Sequence, residues 1–141
     1  ANYSNIDVFT MASGGNAIKF GELATARKYP DTAGNTVRAL AAGGVDDSDS
    51  TTNSIEFVTI ATEGNATDFG DLHSATSTGK SGSVSSATRG IFAGFYPVSG
   101  GDKRMDFVSI TSAGSAQDFG DLTTAAYYTG GCSDSNGGLG E

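Results

Sequence analysis

A four-residue stretch, Phe69-Gly70-Asp71-Leu72, decides the fold because the sequence carries it three times. The other copies are Phe20-Gly21-Glu22-Leu23 and Phe119-Gly120-Asp121-Leu122, at spacings of 49 and 50 residues. We call these copies the Phe-Gly stretches. A second motif precedes each of them and is called the Gly-x-Ala segment; its copies cover 15–17, 64–66 and 114–116. A fixed period near 50 residues indicates a repeat architecture.

Each repeat is predicted to contain four short β-strands. In the second repeat, the β-branched and aromatic residues over 55–62 are typical of a buried strand. Glu63-Gly64-Asn65 predicts a turn, because Gly and Asn tolerate positive φ. Further strands are predicted over 66–72, 82–86 and 89–93. No long segment has an apolar period of 3.6, so the chain is predicted to be all-β.

These strands favour the blades of a β-propeller, in which four-stranded sheets cover each other's faces around an axis. We predict one domain over residues 1–141, with repeats at approximately 5–44, 54–95 and 104–141. The Gly of each Phe-Gly stretch is expected to permit close backbone approach or a bulge. The aromatic and aliphatic residues of these stretches are predicted to be structural anchors between neighbouring sheets: Phe20, Leu23, Phe69, Leu72, Phe119 and Leu122.

Three blades are too few for a ring, since propellers have four to eight. Two explanations stay open. A homodimer would complete a six-bladed ring, with an inner strand pair around 130–138 of one copy completing the blade that the other copy begins over 6–23. Alternatively, the chain is a piece of a longer polypeptide that carries further repeats.

The order of the motifs resembles the kelch repeat. Residues 38–44 and 89–94 are similar to its glycine-doublet strand, 55–62 to its next strand and 69–72 to its Trp-x-x-Leu segment, although this chain has no Trp. In detail, 64–72 and 88–94 resemble kelch-type repeats in structural or tail-associated proteins of tailed phages. The resemblance implies kelch-like propeller blades and a structural or adhesion role in a virion or outside the cell, with a larger virion assembly as partner.

Composition narrows the classes of function. The chain has 16 acidic and 8 basic residues, a net charge of −8, and so lacks the basic stripe of a nucleic-acid-binding surface. No apolar run is long enough to span a bilayer, so neither nucleic acid nor membrane is expected as a partner. With His73 and Cys132 as the single residues of their types, we expect no enzyme. His73 is predicted to lie at the surface and Cys132 in a buried position.

Two sets of residues are candidate binding sites. Asp46, Asp47 and Asp49 could hold Ca²⁺ through hard oxygen ligands, the alternative being a solvated loop; no other cofactor is expected. Aromatic residues in loops could contact a glycan or a protein: Tyr29, Phe95, Tyr96, Tyr127 and Tyr128. Packing between blades is the alternative for these aromatic residues. The leading hypothesis is therefore a non-enzymatic structural or adhesion module of a phage virion, and the alternative is a soluble carbohydrate-binding propeller, a lectin.

Overall fold

The computed structural model describes residues 2–76, 82–96 and 101–133. Within these residues it contains ten β-strands and no helix, which confirms the all-β prediction. The strands are β1 (Tyr3–Val8), β2 (Ile18–Arg27), β3 (Asp31–Gly34), β4 (Arg38–Ala42), β5 (Thr52–Thr59), β6 (Thr67–Thr76), β7 (Gly82–Ser85), β8 (Arg89–Ala93), β9 (Asp102–Ser109) and β10 (Gln117–Ala126). In the described part of the chain, no helix exists that has the length and apolar character to cross a membrane.

The strands form three antiparallel sheets. The first sheet consists of β1 and β2 alone, the second of β3-β4-β5-β6 and the third of β7-β8-β9-β10, each in chain order. The predicted strands of the second repeat correspond to β5, β6, β7 and β8, so one sequence repeat is divided between two sheets. The inner strand pair expected around 130–138 lies outside the described residues from 134 on, and 130–133 do not form a strand.

Each Phe-Gly stretch lies at a β-bulge. In the second sheet, Ile55 pairs with Gly70 whereas the next residue, Glu56, pairs with Asp68, so that Phe69 is the extra residue. The pairings of β1 with β2 and of β9 with β10 shift at the equivalent positions, beside Gly21 and Gly120. A bulge bends its strand and increases the local twist. The bulge expected from the glycine is therefore present in all three copies.

The core lies between the second and third sheets. Its buried residues come from both sheets, with Leu40, Ile55 and Phe92 among the largest. Gly90 lets the two sheets approach, because a Cβ at this position would lie 3.0 Å from the Cβ of Ala33. The predicted anchor Phe69 belongs to this core.

The first strands of the second and third sheets lie side by side. Ser83 Oγ on β7 donates a hydrogen bond of 2.6 Å to the carbonyl oxygen of Thr32 on β3. Residues 131–133 lie against β7, where a Cβ on Gly131 would collide with the carbonyl oxygen of Ser83. Parts of β3, β7 and 131–133 line one common cavity. These three segments of the chain therefore converge.

Candidate functional site

The first and second sheets are joined through a Phe-Gly stretch and a Gly-x-Ala segment. The N–H of Gly64 donates to the carbonyl oxygen of Phe20 (3.1 Å), and the N–H of Ala66 donates to that of Glu22 (2.8 Å). In return, the N–H of Glu22 donates to Asn65 Oδ1 (3.1 Å). These three bonds, together with the two segments that make them, are called the first junction.

The second and third sheets are joined by the same contact one repeat later. Here the N–H of Gly114 donates to the carbonyl oxygen of Phe69 (2.7 Å), and the N–H of Ala116 donates to that of Asp71 (2.8 Å). The N–H of Asp71 donates to Ser115 Oγ (3.3 Å), so a hydroxyl takes the place of the Asn65 amide. This is the second junction. The two repeated motifs are thus the two halves of one contact between sheets.

The glycine of the Phe-Gly stretch is required by this contact. A Cβ on Gly70 would lie 2.5 Å from the carbonyl carbon of Gly114, and Gly70 also has a φ of 146° that L side chains rarely adopt. At Gly21, a Cβ would collide with the carbonyl oxygen of Gly64. Because the contacted atoms are backbone atoms, they cannot move aside as a flexible side chain could.

A buried acid reinforces each junction. The N–H of Ala24 donates to Glu56 Oε2 (2.8 Å), and the N–H of His73 donates to Asp106 Oδ2 (3.0 Å). Glu56 and Asp106 are both buried. Each carboxylate therefore accepts a bond from the residue that follows the Phe-Gly stretch of the preceding sheet.

Each of the two buried acids lies beside an arginine. The arginine beside Glu56 comes from the neighbouring sheet, whereas the one beside Asp106 comes from the same sheet. Arg27 of the first sheet is buried and pairs with Glu56 across the first junction, while its guanidinium also donates to the carbonyl oxygen of Gly43 (3.1 Å). Burial lowers the pKa of Arg27, which stays protonated at neutral pH. Arg104 lies on the same strand as Asp106, with Nε 3.2 Å from Oδ1.

The surroundings of the Asp106 carboxyl shift its pKa. Burial raises its pKa, while the hydrogen bond from the His73 backbone and the charge of Arg104 act in the opposite direction. Burial is the largest of these effects. The folded chain therefore holds a proton on Asp106 more readily than the unfolded chain does.

The Phe-Gly stretch 119–122 and the Gly-x-Ala segment 15–17 form no junction within the described residues. Phe69 is only 2% exposed, whereas Phe119 is 44% exposed at the free face of the third sheet. A Cβ on Gly120 would meet only Met105 Cε, at 3.9 Å, and one on Gly15 would meet nothing within 4 Å. Of the predicted anchors, Phe20, Phe69 and Leu72 are buried, Leu23 and Leu122 are half-buried, and Phe119 is exposed.

The structure brings together three of the five predicted ligand-binding aromatic residues. The ring centroids of Tyr96 and Tyr127 are 5.9 Å apart, and those of Tyr127 and Tyr128 are 5.1 Å apart. Tyr127 and Tyr128 are 43% and 66% exposed. We call these three residues the tyrosine cluster.

The other two aromatic residues lie elsewhere. Phe95 is buried in the core, with the Arg104 guanidinium 4.6 Å from its ring centroid, which corresponds to the packing alternative. Tyr29 is exposed beyond the end of β2. It has the same φ of 58° as Tyr128, which occupies the equivalent position beyond β10.

The acidic loop proposed for Ca²⁺ uses its carboxylates separately. Asp46 Oδ1 accepts bonds from the N–H groups of Ser48 (2.8 Å) and Ser50 (2.9 Å), which closes the loop. Asp49 pairs with Lys28, and Asp47 accepts a bond from the N–H of Asn2. Across the residues that the structure describes, no three His, Cys, Asp or Glu side chains converge as metal ligands.

His73 and Cys132 are both exposed. This position agrees with the prediction for His73, whereas the prediction of a buried Cys132 is wrong. Cys132 lies at the cavity that β3 and β7 also line.

Sequence reasoning missed the buried acids Glu56 and Asp106. A signal was present, since an acid interrupts the apolar strand at the same place in each repeat, as Asp7, Glu56 and Asp106. An acid at a fixed place in an otherwise apolar strand indicates a buried carboxylate with a defined partner.

Neither a protein-family model nor a curated protein sequence matches this chain. The inter-sheet junctions and the tyrosine cluster are therefore the features from which a function is inferred.

Proposed function

We propose that the three sheets are blades of a kelch-like β-propeller and that the chain is a non-enzymatic structural and adhesion module of a virion. The observation that carries this proposal is the junction that occurs twice with the same backbone atoms. A contact that repeats in this way adds each sheet to the preceding one with a similar rotation, which is how a repeat architecture is built. The function that we infer from the junction is to hold the sheets in a fixed array.

The convergence of three segments from successive parts of the chain favours a fan of sheets over a linear stack. Parts of β3, β7 and 131–133 line one cavity, as the inner strands of propeller blades line a central channel. In a linear stack, the first strands of two sheets that are not neighbours would instead be separated by the whole sheet that lies between them. The twist added by the bulges at Phe20, Phe69 and Phe119 is consistent with sheets that rotate about an axis.

Placement on a virion or another extracellular surface rests on the resemblance of the repeats to those of tailed-phage structural and tail-associated proteins. A scaffold held by main-chain hydrogen bonds leaves its loops available for recognition. We therefore assign attachment to the loops between strands, where the repeats differ most in sequence.

Carbohydrate binding is the second candidate function, and the tyrosine cluster favours it. Tyr127 and Tyr128 are exposed beside Tyr96. Pyranose rings stack their C–H faces on such aromatic surfaces, while phenol hydroxyls bind sugar hydroxyls. The cluster lies where the loop after β8 meets the end of β10, since a Cβ on Gly101 would lie 2.6 Å from the backbone nitrogen of Ala126.

A glycan array followed by titration of the best sugar tests this candidate. The informative variant is Tyr128→Asn, because Asn tolerates the positive φ of this position and so removes the ring without straining the backbone. Loss of one aromatic contact is worth about 1 kcal/mol. We therefore expect Tyr128→Asn to weaken sugar binding by about three- to tenfold.

Tyr29→Asn is the matched control, since Tyr29 has the same φ and the equivalent position in the repeat. We expect it to bind the sugar as the unmodified chain does. Equal losses in both variants, or no saturable binding to any glycan of the array, would overturn carbohydrate recognition by the tyrosine cluster. The scaffold role would then be the function that remains.

A further inference from the structure

One half of a junction is left over at each end of the sheet array. At the third sheet it is the Phe-Gly stretch 119–122, with its bulge and with a φ of 128° at Gly120 that resembles the 146° of Gly70. At the first sheet it is the Gly-x-Ala segment 15–17. The end of the third sheet has the bulge of a junction and the end of the first sheet has the sequence of one, and each lacks the opposite half within the described residues.

We propose that a second copy of this chain supplies both missing halves: the stretch 119–122 of each copy docks on the segment 15–17 of the other, closing a ring of two copies. In this third junction, the N–H groups of Gly15 and Ala17 donate to the carbonyl oxygens of Phe119 and Asp121. The N–H of Thr123 then reaches Asp7, which occupies the repeat position of Glu56 and Asp106. The inference rests on the proposed function, because it extends the same array of sheets.

The choice of occupant follows from the two junctions within the chain. Both of them pair a Phe-Gly stretch with a Gly-x-Ala segment, so the free end of the third sheet has the surface that the free end of the first sheet binds. Apolar side chains are exposed at both ends, with Phe119 at one and Ile18 and Phe9 at the other. Docking of one end on the other would remove these side chains from water.

An independent observation concerns the incomplete first sheet. It has two strands where the other sheets have four. Beside it lies a largely apolar space that is lined by Ile6 and Leu23 of the first sheet and by Ala39, Ala41 and Val58 of the second. Strands equivalent to β3 and β4 would occupy this space.

The opposite end of the array carries the segment that fits this space. Residues 129–133 follow the third sheet and run beside β7, as β7 runs beside β3. This is the position of the first strand of a further sheet. The two-stranded first sheet and the segment that continues past β10 therefore complement one another, and two identical copies satisfy both ends with two-fold symmetry.

The test is the native mass of the chain and of two variants, each of which disables one end. In Phe119→Asp, a charge replaces the exposed ring; in Ala17→Pro, the N–H of the Gly-x-Ala segment is removed. The unmodified chain should have twice the 14.2 kDa of one copy. We expect each variant alone to associate at least about tenfold more weakly.

A mixture of the two variants distinguishes end-to-end pairing from any other mode of association. The Ala17→Pro chain keeps an intact 119–122 end, and the Phe119→Asp chain keeps an intact 15–17 end. One of the two junctions can therefore form between them, so the mixture should regain a species of twice the chain mass. Val37→Asp is the matched control, because Val37 is also exposed and lies away from both ends.

Three results would overturn the inference: a folded monomer of the unmodified chain, a mass other than two copies, or variants that associate singly as well as they do when mixed. A folded monomer would leave the first and second junctions, and with them the proposed scaffold, unaffected. Small-angle scattering from the same sample tests the scaffold separately, since sheets arranged along a line would give an elongated particle and overturn it.

Discussion

At the residue scale, Gly21 isolates the steric requirement of a junction. Its φ lies outside the positive range, so a side chain there would strain no backbone angle and would meet the backbone of Gly64 and Asn65. Gly130 provides the matched control, because its φ also lies outside that range and a Cβ there would meet nothing within 4 Å.

We expect Gly21→Ala to lower the free energy of unfolding by about 1–3 kcal/mol, as overpacking of a tight contact does. Gly130→Ala should leave it unchanged or raise it by up to about 1 kcal/mol, because Ala restricts the unfolded chain more than Gly does. Urea denaturation at one fixed protein concentration measures both values. Equal stabilities of the two variants would show that the first junction is not as close as described.

At the scale of the elements, the buried acids connect one strand to a strand of the next sheet. Asp106 on β9 accepts the N–H of His73 on β6, so its protonation state and the second junction are linked. Burial raises the pKa of Asp106, which means that the folded state binds its proton more tightly than the unfolded state does. Its contribution to stability is therefore fully present below the ordinary Asp pKa of about 3.9 and is lost as pH rises through the higher folded value.

Asp106→Asn tests this link, because the amide keeps an acceptor for the His73 N–H but does not titrate. We expect the unfolding free energy of the unmodified chain, minus that of Asp106→Asn, to increase as pH is lowered from 7 to about 4. Asp68→Asn, at an exposed position of β6, controls for the loss of one negative charge. A difference that stays constant or falls over this pH range would contradict the assignment.

The strands were predictable from the sequence because their residues carry local signals. β8 has the predicted bounds 89–93, whereas the turn predicted at Glu63-Gly64-Asn65 lies a few residues earlier, where the N–H of Thr62 donates to the carbonyl oxygen of Thr59 (3.2 Å). The bulge at Phe69 was likewise expected, because glycine inside a strand is a local feature. Local conformation explains this part of the fold.

The junctions were not predictable in the same way, since they depend on which sheet lies next to which. The sequence predicts the Phe-Gly stretches as anchors between neighbouring sheets, but nothing in either motif indicates that it binds the other. The tyrosine cluster was not predictable for the same reason. Tyr96 and Tyr127 are distant in sequence, and the approach of the loop after β8 to β10 brings them together. Phe95, adjacent to Tyr96, points instead into the core.

At the scale of the whole molecule, one type of contact joins the sheets. The sequence carries three copies of each of its two halves, and the described residues form the contact twice. Each copy carries a net charge of −8, so charge repulsion opposes association and is screened by salt. Main-chain hydrogen bonds and apolar contacts, which make up the junctions, keep their strength at high ionic strength. The proposed ring should accordingly persist in salt.

Amide hydrogen exchange, resolved by residue, tests the central claim most directly. The N–H groups of Gly64, Ala66, Gly114 and Ala116 lie outside the strands, in segments that would exchange rapidly if they faced solvent. We expect all four to be strongly protected by their bonds to the neighbouring sheet, and Gly15 and Ala17 to be protected as well in the two-copy ring. Rapid exchange at Gly15 and Ala17 alone would contradict the ring, and rapid exchange at the other four would contradict the junctions themselves.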